Sequence, residues 1–470
     1  MKLFLLAVPA LLGLASLAQA ITVRKNVDVN GKKCDVVTWT DREGKERSIA
    51  LVRSDGDTKG FSGGYVEEYS YFAGDRKVVA KAWNQAQAEV SGLGVAVNHH
   101  KGASSSKANS TGARTEFLVE GKSHVLWRFR SEMNGMGKSL GLVIDWMVSD
   151  GKSEILWSVS YDMSKLKDGE INWDARGPYF QFDWDGDGRF YDAPISGIRW
   201  GDKYRFKTTP YDRAKSGWDY SEPNKMPHML LWKEGAEGDV ECGVVQTQTW
   251  AEQDAGGYWW SPKVWGKTGT GMPENWNCPF QLNAYEGYGG EKMAWGTCFG
   301  FVGSSSYARL DGQKRKGWPY QGYTVEIVTG RHSDALADRA IGSLEASTGV
   351  ELSAKEGKVR TRGPRWAGLA EESDFTPSGW DPLHAAFALS AGAGGKTSFS
   401  IGVPSGKISG ALVLIHDYPN AQPPKTVTLD SKILAGGSGI YVSLDSGTKT
   451  VFLTLPGELS PGKHAIEIVP

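Results

Sequence analysis

Apolar and polar positions alternate with a period of two over much of this chain, and the alternating runs come in pairs joined by glycine-containing turns. Val23 to Asn30 and Cys34 to Trp39 bracket Gly31-Lys32, Phe117 to Glu120 and His124 to Phe129 bracket Gly121-Lys122, and Leu142 to Val148 and Glu154 to Tyr161 bracket Asp150-Gly151. This is the grammar of antiparallel hairpins, and the 60 glycines are suited to the tight turns that hairpins need. A helical period is clearest over Ser333 to Ala346, where Ser333 stands ready to cap and Leu336, Ala340, Ile341 and Leu344 share a face. Residues 350 to 380 read as an irregular connector, with the basic stretch Lys358 to Trp366 a solvated strap. Beyond it, short apolar runs recur at Ala386–Leu389, Phe399–Val403, Ala411–Ile415, Thr426–Leu429, Tyr441–Leu444, Val451–Leu455 and Ala465–Val469. That spacing predicts an Ig-like sandwich without the cysteine pair of an immunoglobulin domain. The expected fold is all-β: a large antiparallel β-supersandwich over 21–332, a helix and connector over 333–380, and a small sandwich over 381–470.

The N-terminus follows a different pattern. A short basic start, Met1-Lys2, precedes an apolar run from Leu3 to Leu17 and then Ala18-Gln19-Ala20, a small-x-small cleavage site. The expectation is an export signal removed near Ala20, with a secreted or periplasmic mature chain beginning near Ile21. No later run approaches the ~20 apolar residues that a spanning helix needs, so no membrane span is expected in the mature chain.

Composition narrows the partners. With 53 basic and 54 acidic residues the formal net charge is −1, which argues against nucleic acid and against docking on anionic lipid. Tryptophan is concentrated: fifteen of nineteen lie between Trp127 and Trp318, which marks a module distinct from the tail. The four cysteines, in an oxidising compartment, are compatible with two disulfides, and the pairing expected is Cys278–Cys298 with Cys34–Cys242.

Three segments carry candidate chemistry. In Asp183-Trp-Asp185-Gly-Asp187-Gly-Arg-Phe-Tyr-Asp192, carboxylates alternate ahead of glycines, as in a loop that wraps calcium. Asp183, Asp185, Asp187 and Asp192 are the expected ligands of a structural ion, although Pro194 stands where an EF-hand places its bidentate Glu. Upstream, Arg176 and Tyr179 are suited to a carboxylate or a sugar hydroxyl. A second segment, Gln246 to Trp260, combines Glu252 and Asp254 with Trp250, Tyr258, Trp259 and Trp260. Paired carboxylates are the equipment of glycoside hydrolysis, and aromatic faces receive sugar rings. The third is Asn98-His99-His100, with His124 and Arg128 on a later strand. A histidine base beside an arginine that neutralises a carboxylate is the equipment of β-elimination from uronic-acid polymers. No organic cofactor is implied.

The exported start, the Trp-dense strands such as Ile144 to Val148 with Ile155 to Tyr161, and the Trp-free tail resemble secreted polysaccharide-active enzymes with a galactose-mutarotase-like β-supersandwich. The resemblance implies an enzyme that cleaves a polysaccharide, as a lyase or a glycoside hydrolase, and a monomer is expected. It assigns no catalytic residue. A non-catalytic glycan-binding or adhesion protein is the alternative.

Overall fold

The structure is a computed structural model that describes residues 20–53, 63–81, 92–95, 99–100, 103–104, 109–135, 138–162, 175–181, 186, 196–200, 204–206, 226, 228–235, 239–247, 281–284, 293–301, 320–360, 379–434 and 441–470. Among the described residues the fold is all-β with one short α-helix. An 11-stranded antiparallel sheet runs in the order Thr22–Val29, Lys32–Thr40, Glu46–Val52, Val66–Ala73, Gly92–Val95, Ala175–Gln181, Met293–Phe301 and Gln281–Ala284, with Arg76–Lys81, His99–His100 and Ala103–Ser104 attached beside this path. A nine-stranded antiparallel sheet runs Tyr204–Phe206, Gly197–Trp200, His228–Lys233, Val240–Gln246, Tyr320–Gly330, Ile155–Asp162, Lys138–Ser149, His124–Gly135 and Asn109–Glu120.

The three expected hairpins all form. The first turns at Asn30-Gly31, one residue earlier than the spacing suggested. Both residues have left-handed φ, 51° and 80°, as the mirror-image two-residue turns that suit strand twist require.

The two sheets pack face to face through large side chains whose polar ends are satisfied. Trp39, Trp127, Trp146 and Trp157 are at most 1% exposed. The Trp127 indole donates to Asp35 Oδ2 at 2.9 Å, Trp146 to the Gly64 carbonyl at 2.8 Å, and Trp39 to the Lys152 carbonyl at 2.9 Å. Each of these three bonds runs from one sheet to the other sheet or its turns, so these tryptophans fill the core and fix the stacking together.

All seven strands expected in the tail are present. They form a five-stranded sheet (Glu351–Glu356, Thr397–Val403, Gly462–Val469, Thr426–Leu429, Lys432–Leu434) and a sheet of six led by Lys358–Val359, Ala386–Ser390, Leu412–His416, Thr450–Thr454 and Tyr441–Asp445. Trp380–Asp381 completes the second, and Ala386–Ser390 pairs in parallel with Leu412–His416. This Ig-like sandwich does not stand apart. Its core of Phe387, Leu389, Leu414, Phe452 and Leu453 is continuous with Val119, Leu126, Met147 and Leu156 of the nine-stranded sheet.

Three expectations are corrected. The stretch after 350 is not irregular at its start: Glu351–Glu356 is an edge strand on Thr397–Val403, with alternate residues half-buried. The helix begins at Leu336 rather than Ser333. Ser333 belongs to a preceding 3-10 turn, where its hydroxyl is tied to Asp239 at 2.5 Å, and the helix N-terminus is served by Glu241, whose Oε1 accepts from Ala337 N–H at 2.9 Å. The expected Cys34–Cys242 disulfide is absent, because both residues are free, buried thiols. Burial pushes the Cys34 thiol up to about 12 and Cys242 further in the same direction, so both are inert at neutral pH. Cys278 lies outside the described residues. Among the described residues, no helix is long and apolar enough to cross a membrane.

Gly64 tests the sheet-to-sheet fit. Its φ is +89°, and a Cβ there would meet Ile144 Cδ1 at 2.7 Å and Phe129 Cδ1 at 2.8 Å. Gly64→Ala adds a left-handed penalty to overpacking, and is expected to lower the free energy of unfolding in urea by ~2–4 kcal/mol. An unchanged urea midpoint would show that the sheets are not closely stacked here.

Candidate functional site

The 11-stranded sheet brings together two candidates that are far apart in sequence. His99 and Arg176 are direct cross-strand partners, on His99–His100 and Ala175–Gln181 respectively. Tyr179, on the same strand as Arg176, is opposite Val95 and Gly296, with register shifts on both sides of the strand. His100 is opposite Ala103. Of the two histidines, His99 is the register partner of Arg176.

His124 and Arg128 sit elsewhere and are fully engaged. The His124 ring is 0% exposed, with Nδ1 3.1 Å from Ser443 Oγ and Nε2 2.8 Å from Thr454 Oγ1, both on strands of the C-terminal sandwich. Phe452 packs on it with ring centroids 5.9 Å apart. Burial, and secondarily the charge of Lys152, pushes its pKa down to about 3, so it is a neutral imidazole that joins the two modules rather than a base that reaches substrate. Arg128 makes a bidentate pair with Asp145, both bonds at 2.7 Å, between adjacent strands of the nine-stranded sheet. Of the remaining candidates, Glu252, Asp254, Trp250, Tyr258, Trp259, Trp260, Asp183, Asp185, Asp187 and Asp192 lie outside the described residues. Gly186, within the segment read as a calcium loop, has a left-handed φ of 69°, and a Cβ there would meet Val78 Cγ1 and the Val79 carbonyl at 3.1 Å.

A second constellation escaped the sequence reading. Arg47 is 1% exposed between the sheets. Its Nε donates to Asp41 Oδ2 at 2.7 Å, and its Nη1 donates to Tyr69 OH at 2.7 Å and Thr329 Oγ1 at 3.1 Å. Burial alone would favour the neutral form, but Tyr69 and Asp41 outweigh it, and the guanidinium remains charged. Asp41 is fixed in turn, because its Oδ1 accepts the backbone N–H groups of Glu43 and Lys45. Arg47 lines the floor of a cleft of about 400 Å³ between two turns of the 11-stranded sheet and the start of the helix. Three exposed ion pairs rim it: Lys45–Asp75 at 2.8 Å, Arg331–Asp334 at 2.5 Å and Arg339–Glu43 at 3.4 Å.

Beside the cleft, His332 Nδ1 is 2.9 Å from the buried Glu241 Oε2, and the Trp232 ring stacks on the imidazole at 4.8 Å. The hydrogen bond to Glu241 holds the His332 pKa above its ordinary value. A further buried group lies under the C-terminal sandwich. Lys152 Nζ is 3.7 Å from Glu326, and Arg42 is 3.9 Å from Glu154. Burial pushes Glu326 up to about 7. Nothing in the local sequence flags Arg47, Glu241 or Glu326, since each looks like an ordinary polar position on an alternating strand. Their decisive partners, Tyr69 and Thr329 for Arg47, His332 and Ala337 for Glu241 and Lys152 for Glu326, are remote in sequence.

The His124 assignment makes a pH prediction. An unfolded-state imidazole titrates near 6.5 and the folded one near 3, so this residue costs stability as pH falls between those values, by up to ~1.4 kcal/mol per pH unit. Asp150, pushed up to about 6 by burial, works in the opposite direction over part of the range. The comparison is therefore with His124→Gln, which should be less stable than the native chain at pH 7 yet lose less stability on going from pH 6.5 to 4. Parallel urea-unfolding curves for the two proteins at every pH would refute the buried neutral imidazole. Independently, Glu241→Gln should return the His332 titration, followed by NMR, toward the ordinary histidine value.

The chain matches no protein-family model and no curated protein.

Proposed function

We propose that this chain is an exported carbohydrate-active protein that cleaves an acidic polysaccharide by β-elimination. The observation that carries the proposal is the register pairing of His99 with Arg176. In such a reaction the arginine neutralises the uronate carboxylate, which acidifies the adjacent ring C–H. The imidazole of His99 takes that proton, the electron pair forms the ring double bond, and the glycosidic oxygen departs with the chain beyond it. A hydroxyl donor such as Tyr179 is suited to protonate the leaving oxygen. Strand positions serve this purpose well, because a sheet holds side chains with less freedom than a loop does.

The apolar N-terminal run with its Ala18-Gln19-Ala20 site supports export, and the sequence from Asp183 to Asp192 supports a calcium ion as a brace for the neighbouring strand. The long antiparallel sheets support a polysaccharide as ligand, because they offer an extended surface. Hydrolysis by Glu252 and Asp254 is the competing chemistry, and glycan binding without turnover is the competing function.

The test is a panel of polyuronates and neutral polysaccharides incubated with purified protein, read by reducing ends and by the ultraviolet absorbance of an unsaturated uronate. Elimination predicts both signals on a polyuronate. His99→Ala and Arg176→Ala should each lower the rate by about a hundredfold or more, a general base alone supplying ~10²–10⁴. Reducing ends without absorbance would replace elimination by hydrolysis, and retardation in an affinity gel without new ends would leave a binding protein. If the Asp183 to Asp192 segment holds calcium, chelator lowers the melting temperature and added calcium restores it.

A further inference from the structure

The cleft above Arg47 is a place where a fixed, buried charge meets space large enough for a ligand. Pockets for small molecules run from ~300 to 1,000 Å³, and this one, at about 400 Å³, is the right size for a single sugar unit. Its floor donor is unusual. Arg47 spends Nε on Asp41 and Nη1 on Tyr69 and Thr329, while Nη2 makes no hydrogen bond to any described residue. A 1%-exposed guanidinium held by three bonds cannot swing out to find an acceptor, so the acceptor must come to it.

The rim differs in kind. Lys45, Arg331 and Arg339 are each held by an exposed ion pair, Lys45 with the Phe72 ring at 5.6 Å and Arg331 through two bonds to Asp334, and Asp75 is fully exposed. Such pairs contribute little, so their cations are available to a better partner. The lining has four acidic and four basic residues, namely Asp41, Glu43, Asp75 and Asp334 against Lys45, Arg47, Arg331 and Arg339. That parity disfavours a polyanion, which would meet the carboxylates at close range. It suits a ligand with one carboxylate and several hydroxyls: the carboxylate reaches Arg47 and Arg331, and the rim carboxylates accept the hydroxyls. We infer that this cleft binds one uronate unit, through its carboxylate on Arg47 and Arg331, as a saccharide-binding site separate from the His99–Arg176 pair. The inference borrows its ligand class from the polysaccharide reading but not its chemistry, since no bond is broken here.

The probe is sodium glucuronate, titrated into the full mature chain by calorimetry or NMR, with glucose and a sugar dicarboxylate as comparisons. Glucuronate is expected to saturate one site, glucose to bind at least tenfold more weakly, and the dicarboxylate to gain nothing over glucuronate. Arg331→Gln, a rim change that leaves the buried network intact, should weaken glucuronate about tenfold, the loss of one charge-assisted contact. Arg47→Lys should abolish binding, and Arg331→Gln keeps the test valid if that variant does not fold. Arg176→Ala should leave binding unchanged. Equal affinity for glucose and glucuronate, no saturable glucuronate binding, or loss of binding in Arg176→Ala with retention in Arg331→Gln would each overturn the assignment. Glucuronate binding without cleavage of any polyuronate keeps this site and removes the elimination reading. Cleavage by a protein that does not bind glucuronate removes this site alone.

Discussion

A guanidinium buried between two β-sheets must keep its charge through partners within the protein, and Arg47 finds three by reaching across both, with Nη2 left on the cleft side. It takes Asp41 and Tyr69 from the 11-stranded sheet and Thr329 from the nine-stranded one. Tyr69 OH and Thr329 Oγ1 are themselves 2.7 Å apart, so the network is closed at its inner end. Removing any one member strands the others without water, which makes the group cooperative and fixes the relative position of the sheets. Trp39 extends the arrangement, stacked against Tyr69 with ring centroids 6.4 Å apart and donating to Lys152 beyond. The shape of the adjacent cleft follows, since its floor is the outer side of this network.

The same principle governs the junction with the C-terminal sandwich. Gly121 lies against Ser443 and Gly151 against Tyr441, so closely that a Cβ at either would stand within 2.5 Å of the neighbour. His124 supplies the polar tie at this junction, and Trp380 adds another by donating to the Thr247 carbonyl at 3.0 Å. With an apolar core running through the contact, the sandwich is packed as a continuation of the nine-stranded sheet. In consequence the turns at Gly121 and Asp150-Gly151, which read as ordinary hairpin ends, are points of contact with the sandwich.

Tryptophan shows how one property can be read two ways. Its density suggests a platform for sugars, yet Trp39, Trp127, Trp146, Trp157, Trp232 and Trp380 are all at most 7% exposed. A wide two-layer sheet has a long flat core, and large rings with one polar edge fill it while satisfying a carbonyl or carboxylate opposite. Sequence period cannot separate the two roles, because an inward and an outward tryptophan on a strand differ only in which parity faces the partner sheet.

What the sequence determined by itself is local. Alternation of apolar residues, Gly-containing turns and the apolar face of Leu336, Ala340, Ile341 and Leu344 specify the hairpins, the seven strands of the tail and the helix, because those depend on neighbours a few residues away. What tertiary structure decided is long-range. His124, which looks like a base, is closed in by Ser443 and Thr454 more than 300 residues later. The Ser333 hydroxyl goes to Asp239, and Glu241 takes over the service of the helix N-terminus. Arg176 acquires His99 as a neighbour through strand register alone. A hydrogen bond or an ion pair needs a partner within about 3 Å whatever its distance in sequence. Which strand supplies that partner is set only when the sheets are stacked.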